Sequence, residues 1–79
     1  MTDIDHWPTV QLQVNNSGAW KNVARVRWRA ADMDFVREGV ENIAAADGGH
    51  SRWRIATVDA IPRVLQRFDV ATGWQEPTL

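Results

Sequence analysis

Residues 9–29 read TVQLQVNNSGAWKNVARVRWR, and the fold turns on how this stretch is parsed. Val10, Leu12 and Val14 alternate with Gln11 and Gln13, the period-two pattern of a strand with one face in a core and one in water. Asn15, Asn16, Ser17 and Gly18 follow as turn residues, because Asn and Gly tolerate positive φ. Residues 20–29 then resume the alternation, so the stretch predicts a β-hairpin. Uninterrupted alternation puts Trp20, Asn22, Ala24, Val26 and Trp28 on one side of the second strand. It puts Lys21, Val23, Arg25, Arg27 and Arg29 on the other. A bulge in this strand would swap Arg27 and Trp28 between faces.

Downstream, the period changes. Val36, Val40, Ile43 and Ala44 recur at helical spacing, and Met33 extends the stripe toward the N-terminus. Asp32 is the expected N-cap, Asp34 suits the first turn, and Gly48 and Gly49 supply a left-handed stop. Gly39 in mid-helix costs about 1 kcal/mol relative to alanine, and the close approach of a bulky neighbour is the expected reason for it. Residues 51–58 and 62–68 read as two further strands around the turn Asp59-Ala60-Ile61, with room for a short fifth strand beginning at Trp74. The expected fold is α+β in the order ββαββ: a four-stranded, mostly antiparallel sheet, five-stranded if Trp74 starts a strand, with one amphipathic helix on one face. The expected core is Val10, Leu12, Val14, Val26, Trp28, Val36, Val40, Ile43, Trp53, Ile55, Val64 and Phe68.

A chain of 79 residues makes one small domain, here residues 1–79, with residues 1–8 and 75–79 expected as mobile ends. It has no cysteine, so disulfides and thiolate metal sites are excluded, and five tryptophans supply the bulk of a small core instead. No apolar run approaches the length of a membrane span, and the acidic start MTDIDHWP lacks the layout of a secretion signal; the expectation is a cytoplasmic protein.

Arg-Trp-Arg occurs twice, at 27–29 and 52–54, and strand alternation explains both copies as tryptophan turned to the core and arginine to water. Extended over the other strands, the same rule gathers eight of the nine basic residues on one sheet face: Lys21, Arg25, Arg27, Arg29, Arg52, Arg54, Arg63 and Arg67. No acidic residue is expected there, while residues 32–47 carry Asp32, Asp34, Glu38, Glu41 and Asp47 against the single Arg37. A net charge of −1 therefore hides a basic face and an acidic helix.

Arginine stems over a solvated sheet are one complete account of such a face. The functional account is a non-enzymatic binding or assembly module that contacts a protein partner, or a second copy of itself, through the basic residues. The alternative is nucleic acid held by its phosphates. It ranks second because single-strand binders present aromatic rings beside their positive charges, and here alternation sends the tryptophans to the other face. Catalysis is not expected. Asp47, His50 and Ser51 share one loop but are neighbours in sequence, and such sets rarely align. Asp3, Asp5 and His6 form no recognisable metal site, and no cofactor motif is present.

Overall fold

The computed structural model describes residues 7–76. Its elements are β1 (Thr9–Asn15), β2 (Trp20–Arg27), α1 (Ala30–Ala46), β3 (Arg52–Thr57), β4 (Val64–Asp69) and β5 (Gly73–Gln75). The strands form one sheet in the order β2-β1-β3-β4-β5, every neighbouring pair antiparallel. The α+β class stands; the element order is ββαβββ, so the four-stranded order ββαββ gives way to the five-stranded alternative with a short last strand at Trp74. β5 is three residues long, too short for alternation to signal. It is held because Trp74 packs on Phe68, ring centroids 5.1 Å apart, and its indole N–H donates to Glu41 Oε2 of α1 at 3.0 Å. The expected mobile ends fall largely on residues outside those described. Of the described part, Pro8 accepts from Trp28 N–H at 2.8 Å and Gln75 belongs to β5.

One side of the sheet packs under α1. Met33, Val40 and Ala44 of the helix meet Val10, Leu12, Trp53, Ile55 and Phe68, with Val14, Val26, Trp28, Val36, Leu65 and Trp74 around them. Burying such side chains contributes roughly 1.5–3 kcal/mol each. The indole N–H of Trp53 is buried in this core without an acceptor.

The helix begins earlier than expected. Arg29, not Asp32, occupies the N-cap position in extended conformation with no side-chain cap, and its carbonyl accepts from Met33 N–H at 2.9 Å. Asp32 is instead an ion-pair partner, its Oδ2 lying 3.1 Å from Arg27 Nε and 3.2 Å from Arg29 Nε. Neither Arg29 Nε nor that oxygen has a hydrogen-bond partner among the described residues, so these are charge contacts only. On the sheet-facing flank of α1, Arg37 donates to Gln66 Oε1 through Nε at 3.3 Å and Nη2 at 3.0 Å. Ile43 is 51 % exposed and leaves the expected core.

Two bulges set which side chains share a face. Leu12 pairs with Ala24 but Gln13 with Asn22, leaving Val23 as the extra residue of β2. Ile55 pairs with Gln66 but Ala56 with Val64, leaving Leu65 extra in β4. Beyond the first bulge the sides reverse. Lys21 lies opposite Val14 on the helix side, while Trp20 and Asn22 lie opposite Asn15 and Gln13 on the open side. Arg27 and Trp28 precede the reversal in space and keep their expected sides. Beyond the second bulge, Val64 moves opposite Ala56 on the open side, and Leu65 takes the place expected of Val64 against the core.

The bulge in β4 makes an ordering of two stabilities testable. Leu65→Ala should cost roughly 1–2 kcal/mol by loss of core contact and Val64→Ala less than that, as read from urea unfolding midpoints. Uninterrupted alternation gives the reverse order.

Gly39 does not admit a bulky neighbour. A Cβ built there meets nothing within 4 Å. Gly39→Ala should therefore raise stability by about 1 kcal/mol through helix propensity, a rise in Tm of about 4–8 °C in a thermal melt.

Candidate functional site

The open side of the sheet is organised by one row running across all five strands: Asn22, Gln13, Arg54, Arg67 and Gln75. Gln13 is only 7 % exposed, so both ends of its amide need partners. Its Nε2 donates to Asn22 Oδ1 at 2.8 Å, and its Oε1 accepts from Arg54 Nε at 2.6 Å. One row away, buried Gln11 donates from Nε2 to the Thr57 carbonyl at 2.9 Å. This amide relay anchors Arg54, whose guanidinium carbon lies over the Trp20 ring, 4.2 Å from its centroid. An arginine on a tryptophan face is a favourable cation–π pair.

The charge around that pair is unbalanced. Burial first, and the neighbouring Arg67 guanidinium second, hold the Arg54 pKa below the ordinary arginine value. Among the described residues, ion pairs involve Arg27, Arg29 and Arg37, whereas Arg25, Arg52, Arg54 and Arg67 have no carboxylate partner. Trp20, Arg52, Arg54, Arg67 and Gln75 border a groove of about 340 Å³, which Asp69 and Thr72 also line. Asp69 stands two residues beyond Arg67 on β4, hence on the same side. This corrects the expectation of a face without acids. Its Oδ1 is engaged by the backbone N–H groups of Ala71 at 2.9 Å and Thr72 at 3.0 Å, which shape the β4–β5 turn.

The eight expected face residues are thus divided. Arg25, Arg52, Arg54 and Arg67 share the open side. Arg27 begins on that side but reaches Asp32 at the helix start, and Arg29 follows the strand and joins the same carboxylate. Lys21 is carried to the helix side by the Val23 bulge. Arg63 lies beyond the Leu65 bulge and lines a separate groove of about 300 Å³ with Val10, Trp28 and Leu65, residues of the helix side. Sequence alternation placed Gln13 on the open side but put Trp20 and Asn22 on the other, and so missed them as members of the site. A lone Asn and Val in mid-strand carry no bulge signal that would have found them.

The loop at 47–51 is built as a helix stop. Asp47 Oδ1 accepts from the backbone N–H groups of Gly49 at 2.9 Å and His50 at 3.2 Å, and its Oδ2 accepts from the Ser51 hydroxyl at 2.6 Å. The serine therefore donates to the carboxylate, with the imidazole exposed beside them. Gly49 is required here: its φ is +80°, and a Cβ would stand 2.6 Å from Val70 Cγ2. No group of three or more His, Asp or Glu is placed to hold a metal ion among the described residues. Asp3, Asp5 and His6 lie outside them. Compared with known protein families, curated proteins and solved structures, the chain matches none.

The Ser51 hydroxyl, ahead of the two backbone donors, holds the Asp47 pKa below the ordinary 3.8. The sign follows directly. A carboxyl depressed in the folded state contributes stability that is whole above the unfolded value and is lost as pH falls through the folded one. The Gly49 and His50 amides should therefore stay protected from hydrogen exchange above pH 3.8 and lose protection only below it. Asp47→Asn should abolish that dependence.

Proposed function

We propose that this protein is a small binding module whose working surface is the open face of its sheet, and that it holds a polyanionic partner there. One observation carries the reading: four arginines with no carboxylate partner among the described residues gather on that face around Trp20, on a chain whose net charge is −1. Arg54 is the most telling of them. It is partly desolvated beside a second guanidinium, an arrangement that is unfavourable alone and is relieved by an arriving anion. The groove offers donors and a stacking surface. The Thr72 hydroxyl donates to the Gly73 carbonyl at 3.4 Å and the Asp69 carboxylate beside it is engaged by the Ala71 and Thr72 amides, so we read the surface as one for binding rather than chemistry. No helix among the described residues is long and apolar enough to cross a membrane, and the cytoplasm is the compartment we propose.

Binders of single strands present aromatic rings beside their positive charges. Trp20, opposite Asn15, stands on the basic face, so nucleic acid ranks at least level with a protein partner. A protein partner keeps one specific support. The helix carries Asp34, Glu38 and Glu41 beside the exposed Phe35 and Ile43, so a second copy could lay its helix on the arginines. Association of that kind would show as a molecular mass rising with concentration.

The test compares two variants that each remove two charges. Arg54→Ala/Arg67→Ala should elute from immobilised heparin at distinctly lower salt than the parent protein, with its salt slope shallower by about 2. Lys21→Ala/Arg63→Ala, on the other side of the sheet, should elute near the parent. Equal losses in the two variants would mean that the open face has no special role.

A further inference from the structure

We infer that the ligand of this face is single-stranded nucleic acid, with a base stacked on the Trp20–Arg54 pair and the flanking phosphates on Arg52 and Arg67. The inference rests on the binding role just proposed and names the ligand.

Binders of single strands combine a positive groove with aromatic rings on the same face, because every base has a π-surface and every nucleotide a charge. Both components meet here only because of the Val23 bulge, which turns Trp20 from the helix side to the groove. The ring is then fixed rather than loose. Arg54 lies over it at 4.2 Å, and the hydrogen bond to Gln13 at 2.6 Å keeps the guanidinium there. A base can stack on the uncovered part of the half-buried ring or on the guanidinium plane itself, since both surfaces are used for unstacked bases.

The charges are spaced for a chain crossing the strands. Arg67 is directly opposite Arg54 on the neighbouring strand, about 5 Å away by backbone, and Arg52 stands two residues along β3, about 7 Å away. Both are exposed and neither is paired. Gln75, opposite Arg67 at the edge, adds an amide for a base edge. Asp69 lines the same groove one step beyond the Trp53–Phe68 pair, on the Arg52 side, and would repel a phosphate there, so Arg67 is the better placed of the two.

A duplex suits the groove less well. Its bases are already stacked on one another, and four arginines make a short footprint for a rigid double helix. An acidic protein surface would use the charges but would not require an aromatic ring locked among them.

The experiment is an NMR titration of the labelled protein, following the Trp20 indole N–H assigned by Trp20→Phe. The probes are a thymidine oligonucleotide of about eight residues, an abasic strand of the same length, the matching duplex and polyglutamate, at low salt and again near 0.15 M. The thymidine strand should shift the Trp20 indole and bind roughly ten-fold or more tightly than the abasic strand. Trp20→Ala, checked for a dispersed spectrum, should bring the two strands to the same affinity while retention on heparin persists. Trp20→Phe should keep most of the difference.

Equal binding of thymidine and abasic strands by the parent protein would overturn the stacking inference and leave the polyanion reading intact. Stronger binding of the duplex or of polyglutamate would likewise overturn it, in favour of that class of partner. No binding to any probe, heparin included, would overturn both.

Discussion

The single extra residue at Val23 is the constraint on which the working surface depends. A bulge leaves two residues of one strand opposite one of its partner, so every side chain beyond it changes face. Ahead of Val23, Arg25 faces the open side and Ala24 and Val26 the helix; behind it, Trp20 and Asn22 face the open side and Lys21 the helix. Were Val23 paired with Gln13 in unbroken register instead, Trp20 would stand on the helix side, Arg54 would have no ring to lie on, and Gln13 would lose the Asn22 acceptor for its N–H. The relay from Asn22 through Gln13 to Arg54 joins three strands in one sequence of bonds.

That relay also explains how so thin a molecule closes its second face. The helix covers one side only, yet Gln11 at 5 %, Gln13 at 7 % and Ala56 at 0 % exposure are all buried on the other. Long side chains on a sheet face can exclude water with their stems while their heads remain wet, and Arg54 bonded to Gln13 is one such neighbour. Buried amides in such a layer are tolerable because each has a partner: Gln13 has two and Gln11 reaches the Thr57 carbonyl. The two faces thus follow different rules, one packed with apolar volume and the other tied by hydrogen bonds.

Charge is divided along the same line. Asp32 draws Arg27 and Arg29 to the start of the helix, and Asp34 pairs loosely with Arg37 at 3.8 Å. What remains unneutralised on the open side is a small arginine cluster rather than a broad basic sheet. Such a cluster gives local recognition more than long-range attraction, because at physiological salt the reach of an exposed charge is about 8 Å.

Much of the architecture was legible in the residues themselves. The alternation of Val10, Leu12 and Val14, the turn at Asn15–Gly18, the helical spacing of Met33, Val36, Val40 and Ala44 and the glycine stop at 48–49 are local patterns. Local patterns report secondary structure directly, because periods of 2 and 3.6 follow from backbone geometry alone. By itself, then, the sequence determined the element types, their order as far as the fourth strand, most of the core and the arginines available to a site. It did not determine which arginines share a face, that Trp20 joins them, or that Leu65 replaces Val64 in the core. Those depend on register, and register is a relation between strands: Val23 and Leu65 become bulges only when Leu12 and Gln13, or Ile55 and Ala56, fix what lies opposite them. The helix start at Ala30, the exposure of Ile43 and the fifth strand held by Trp74 have the same origin, each being decided by the surface the element packs against.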